Sequence, residues 1–157
     1  MRDNILFSDN QSRTNPDSTG TISTNIFDLE QDSNANSLIT DDQIECICNA
    51  VITSYSYTSG GTEGIVIEVR TDDETDLATA KDGSSAGYEI IGSKEIALED
   101  LAAGKKISIP IIRSKMKRYV GGWLRAGSTT LTGTIKIDQY LDFAPISANE
   151  SIQKVPS

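Results

Sequence analysis

Short runs in which apolar and polar residues alternate fill most of this chain, separated by clusters of glycine, asparagine, aspartate and proline. A period of two is that of a β-strand with one buried face. Over residues 44–53, Ile44, Cys46, Cys48, Ala50 and Ile52 share one face, with Ile47 and Val51 on the other. Apolar residues on both faces predict a strand covered on both sides. Tyr55 and Tyr57 extend it to the break at Gly60-Gly61. Over residues 64–70, Ile65, Ile67 and Val69 point one way, and Glu68 and Arg70 are expected at a solvated surface.

Over residues 105–112 the alternation puts Ile107, Ile109 and Ile111 inward. Pro110 removes a ladder donor there, so it marks an edge strand or a bulge. Residues 21–29 are rich in β-branched side chains and predict another strand. Short apolar segments at 88–91 and 95–98 flank Gly92, and 98–104 reads as one helical turn closed by Gly104. Residues 118–126 and 131–138 predict two strands joined by a tight connection, the second continued by 140–143. They hold the sole tryptophan, Trp123, beside Gly121-Gly122. Glycine inside a strand marks a bulge or a close approach of another backbone.

About eight short strands with almost no helix predict an all-β chain, a single β-sandwich or jelly roll. Residues 1–20 read as an N-terminal arm, 21–143 as the sandwich and 144–157 as a C-terminal arm. The longest connection, residues 71–87, is acidic at its start.

Composition narrows the chemistry. The 157 residues carry 23 acidic and 14 basic side chains, for a net charge of −9. Such a chain repels phosphate backbones and anionic lipid, so neither nucleic acid nor membrane is expected as a partner. No histidine is present, which excludes histidine-activated nucleophiles and histidine-ligated metals. Cys46 and Cys48 lie roughly 6.5–7 Å apart along one strand face, poorly placed to bridge each other, and read as small buried apolar residues. Residues 5–7 are too short an apolar run for a secretory leader, so a soluble protein made in a cytoplasm is expected.

No constellation of catalytic residues emerges, and no cofactor or metal is expected. Asp72, Asp73, Glu74 and Asp76 could offer oxygen ligands to calcium, but the EF-hand glycine and glutamate positions are not met, and the group reads as a solvated loop. Glu68, Glu89, Glu95 and Glu99 carry no pairing signature of a carboxylate-only hydrolase. Trp123, Tyr119, Tyr55 and Tyr57 could stack on sugar, although strand aromatics more often serve core or interface. The basic group Lys115, Lys117 and Arg118 is too narrow for a nucleic-acid footprint.

The order of several segments carries a resemblance. Residues 4–11 (NILFSDNQ), 23–29 (STNIFDL), 68–73 (EVRTDD), 101–110 (LAAGKKISIP), 118–125 (RYVGGWLR) and 132–138 (TGTIKID) follow one another over residues 4–143. The series resembles the small capsid cement, or decoration, proteins of tailed phages, in particular the family first described from a Bordetella phage. The resemblance implies a non-catalytic virion protein on the outside of an icosahedral head, often a trimer, that clamps neighbouring major capsid protein subunits. Ile5, Leu6 and Phe7 are then candidate capsid contacts, or else an ordinary edge strand. Tyr119, Trp123 and Arg125 are candidate interface residues. The rival class is a carbohydrate-binding jelly-roll module or the base of a head fibre.

Overall fold

A computed structural model describes residues 4–29, 44–59, 64–78, 87–127 and 131–145. Eight strands occupy most of them: β1 (Asn4–Thr14), β2 (Thr21–Asp28), β3 (Ile44–Ser59), β4 (Ile65–Asp72), β5 (Glu89–Ile96), β6 (Lys106–Pro110), β7 (Tyr119–Ala126) and β8 (Thr132–Pro145). They form two four-stranded antiparallel sheets, ordered β1-β8-β3-β6 and β2-β7-β4-β5. Consecutive strands alternate between the sheets except at β4 and β5, which pair directly. This is the double-sheet order of a jelly roll.

The inward faces follow the alternation. Cys46, Cys48, Ala50 and Ile52 of β3 meet Ile65, Ile67 and Val69 of β4, with Leu124 from β7 and Ile135, Ile137 and Leu141 from β8. On the outer face of β3, Ile47 and Val51 are only half-buried, so that strand is not fully covered on both sides. The strand buried on both faces is β4.

Four expectations change. The terminal pair is not a hairpin: β7 lies between β2 and β4, and β8 lies between β1 and β3 in the opposite sheet. The connection after Ala126 crosses the sandwich. Beside it runs the β1–β2 turn, joined to it by Ala126 N to Asp17 O (2.7 Å) and Leu131 N to Pro16 O (3.0 Å).

Residues 4–14, expected in an arm, form β1 along the edge of β8. The C-terminal boundary at 144 also moves, because β8 runs to Pro145; residues 146–157 lie outside the described residues. The two apolar segments around Gly92 are one strand, β5, with a register shift opposite Val69 and Arg70. The turn after it is 3-10, Leu98–Asp100, and Gly104 follows with φ +83°. Pro110 closes the edge strand β6, as its missing donor requires.

The edge between β1 and β2 is closed by side chains. Gln11 Oε1 accepts from Thr24 N at 2.8 Å, and Gln11 Nε2 donates to Ile22 O at 3.2 Å. Buried Arg13 donates to Ile22 O and Gln11 Oε1. Burial lowers its pKa to about 10, the direction expected when a cation loses water.

Candidate contact surface

The candidate contacts of the first strand separate sharply. Phe7 is 0 % exposed and belongs to the core, which corrects its reading as a capsid contact. Leu6, one residue earlier, is 43 % exposed. Strand alternation gives the cause, since neighbouring residues point to opposite faces. Ile5 pairs with Leu141 through its backbone; its side chain lies outside the described set.

The second group is interior. Trp123 is 4 % exposed, and its indole N–H donates to Thr19 O at 3.0 Å. One ring face carries the Arg70 guanidinium, 3.8 Å from the centroid. Gly20 closes in as well: a Cβ there would lie 2.4 Å from Trp123 Nε1. Trp123 therefore presents no free face to a partner subunit or a sugar, which corrects both readings. Tyr119 is half-buried, with Arg118 over its ring at 4.9 Å. Arg125 is half-buried and donates to Glu68 Oε1 at 2.8 Å.

Glu68 and Arg70, expected at a solvated surface, are 1 % and 3 % exposed. They stand on the outer face of β4, but that face is roofed. Arg70 pairs with Glu68 at 2.9 Å, donates to Leu77 O at 3.0 Å, and lies between the rings of Trp123 and Tyr88, the latter at 3.9 Å. Glu68 is held by Arg70 and Arg125 together. Burying such charges is tolerable because each has several partners. The signal in the sequence was a charged pair inside an apolar strand, which alternation alone assigns to water.

Gly121 and Gly122 serve side chains, not a neighbouring backbone. A Cβ on Gly121 would meet Leu77 Cδ1 at 2.6 Å, and one on Gly122 would meet Gln139 Oε1 at 2.4 Å. The register irregularity lies in β2, between Ile22 and Ile26, where Ser23 Oγ accepts from Gly122 N at 3.0 Å.

The other charged groups divide between the fold and the solvent. Asp72 is buried and accepts from Asp73 N at 2.7 Å, while Asp73, Glu74 and Asp76 are exposed. Among the described residues no three histidine, cysteine or carboxylate side chains are grouped as metal ligands. Arg118 donates twice to Asp28, at 3.0 Å each. Lys117 lies 3.9 Å from both Asp73 and Glu89. Cys46 and Cys48 are free and buried, and burial pushes both thiols up to about 12.

Among the described residues the large apolar side chains left exposed are Leu6 on β1, Ile26 on β2, Tyr55 on β3, and Ile90 and Ile112 at the edge shared by β5 and β6. The sequence signals for that edge were the doublets Ile90-Ile91 and Ile111-Ile112, since one member of a doublet must face outward. No helix among the described residues is long and apolar enough to cross a membrane.

The family model Bbp16 matches residues 7–139, nearly the whole sandwich. No curated protein matches the chain. The chain belongs to the Bbp16 family, a family of Bordetella phage proteins, and that membership points to a structural protein of a phage.

Proposed function

We propose that this Bbp16 family member is a capsid cement protein. It binds the outer surface of an icosahedral phage head and clamps neighbouring major capsid protein subunits, so that the expanded shell is stabilised. The observation that carries this reading is the family match across residues 7–139. The fold supports it. Glu68, Arg70, Arg118 and Arg125 are engaged in the protein's own ion pairs, which suits a rigid body that works by contact.

The clamp acts through linked contacts. Each can be weak, because joining them raises overall avidity by roughly 10²–10⁴-fold where the geometry fits. Binding only the expanded shell stabilises that state by mass action. The edge strand β1, with Leu6 exposed beside the chain's start, is the contact we assign to the capsid. A second copy of the chain is the other partner, in a homotrimer.

The test is made on particles. Purified virions should contain the protein in a fixed ratio to the major capsid protein. Expanded heads lacking it should rupture at lower temperature, and adding it back should restore them. Its absence from virions, or heads indifferent to it, overturns the reading. A monomeric mass by light scattering, free and on heads, overturns the trimer alone.

A further inference from the structure

A clamp needs two separated contacts, and the sandwich has an open edge opposite β1. β1 and β6 bound the same sheet on its two sides, three inter-strand spacings or roughly 14 Å apart. Beside β6, the other sheet ends at β5. Among the described residues one backbone bond joins β5 to the segment after β6, from Ile112 N to Ile91 O at 2.8 Å. Gly92 permits the approach, since a Cβ there would lie 2.6 Å from Ile111 Cδ1. A groove of about 410 Å³ opens at this point, lined by Ile90 to Ser93 and Pro110 to Ile112. Ile90 is 42 % exposed and Ile112 is 49 % exposed. A contiguous apolar groove of this kind favours an apolar occupant over water.

The backbone and the charges of this edge say more about the occupant. Among the described residues β5 pairs with β4 and with no second strand. An unpaired edge is a template for a further strand. Lys94 restricts which strand can add. It lies opposite Ile67 in the register, so it shares the inward face of β5, yet it is exposed. A lysine on the inward face of an edge strand opposes pairing with an uncharged or basic segment. The β6 side adds to that field. Residues 101–118 carry Lys105, Lys106, Arg113, Lys115, Lys117 and Arg118 and no carboxylate, in a chain of net charge −9. Lys106 and Lys115 are exposed, and Arg113 follows Ile112 directly. Glu95 is the exposed carboxylate of β5. The edge is thus apolar at its centre and mainly basic at its rim, which complements an extended segment bearing carboxylates around an apolar residue.

We propose, resting on the cement reading, that this edge receives an extended, acidic segment of a second major capsid protein subunit, added as a strand beside β5. An apolar side chain of that segment sits between Ile90 and Ile112, and its carboxylates face Lys94 and Lys115. The β1 edge holds one subunit and the β5–β6 edge holds its neighbour.

The test measures binding of the full chain to expanded heads that lack it. Two double variants are compared with the parent: Ile90→Glu with Ile112→Glu, and Lys94→Glu with Lys115→Glu. Each should bind at least about tenfold more weakly. A third protein, Ile112→Cys, makes a conservative change and carries a reporter thiol, while the native thiols are buried. It should react with N-ethylmaleimide when free and be protected on heads. Heads that bind the parent and both double variants equally, with the reporter still reactive, overturn the proposal and leave the cement reading standing. Loss confined to the isoleucine variant overturns the acidic character of the segment. Protection of the free protein that grows with its concentration overturns the proposal and assigns the edge to a second copy. Heads that do not bind the parent overturn the cement reading itself, and this contact with it.

Discussion

The guanidinium of Arg70 lies 3.8 Å from the ring centroid of Trp123, and the ring of Tyr88 covers its other side at 3.9 Å. The same arginine bonds Leu77 O and pairs with Glu68. One side chain thus ties the segment after β4 and the entry to β5 onto the outer face of the sheet. Desolvated stacking of this kind contributes about 2 kcal/mol per ring.

Replacing Arg70 with Met keeps much of its length and removes its charge. Glu68 would keep Arg125 but lose its most buried partner. Breaking a buried pair in this way costs about 3–5 kcal/mol. Urea unfolding followed by Trp123 fluorescence should show a midpoint lowered accordingly. A variant within about 1 kcal/mol of the parent would mean that the stack holds little.

A Gly122→Ala variant puts a methyl 2.4 Å from Gln139 Oε1. Overpacking of this kind typically costs 1–3 kcal/mol. Gln139→Ala alone removes the bond from Gln139 Nε2 to Glu68 O and leaves that carbonyl buried. Because the two residues share one space, the double variant should be more stable than the sum of the single effects predicts. Strict additivity in thermal or urea melts would contradict the assigned contact.

Leu6 and Phe7 should separate stability from binding. Phe7→Ala opens a cavity in the core and should cost about 3–5 kcal/mol. Leu6→Glu, at an exposed position, should leave the melt within about 0.5 kcal/mol and weaken attachment to expanded heads. Deleting residues 1–8 removes half of the β1–β8 pairing with Phe7, so the truncated protein should be strongly destabilised. A Leu6→Glu protein that binds heads as well as the parent would remove Leu6 from the contact.

The two thiols make an alkaline prediction. Unfolded cysteines ionise near pH 9, while Cys46 and Cys48 in the fold stay protonated up to about 12. Between those values the unfolded chain has lost protons that the folded chain keeps, so stability falls as pH rises from 9 toward 12. Below pH 9 their contribution is fully present. Native protein should not react with a thiol reagent at neutral pH, and the denatured chain should react at two sites. Replacing both residues with Ala should flatten the alkaline loss of stability. An unchanged slope would assign it to other groups.

Local pattern determined much of this protein. The alternation over residues 44–53, 64–70 and 105–112 placed three strands and their inward residues, because period-two burial is written into neighbouring positions. Pro110 announced an edge strand, and Cys46 and Cys48 announced buried thiols, through properties of the residues themselves. Pairing was not legible in this way. Residues 118–138 look like a hairpin because the two strands are neighbours in sequence, yet β7 and β8 join opposite sheets. Strand partners are set by contacts between distant segments, which no local pattern records. The same cause hid the site residues. Alternation sent Glu68 and Arg70 to water and left Trp123 free for contact. Only the roof built from Thr19, Gly20, Leu77 and Tyr88 decides that all three are interior. What the surface offers instead, Leu6 on β1 and Ile90 on β5 among it, stands on edge strands, and only tertiary structure decides which strands are edges.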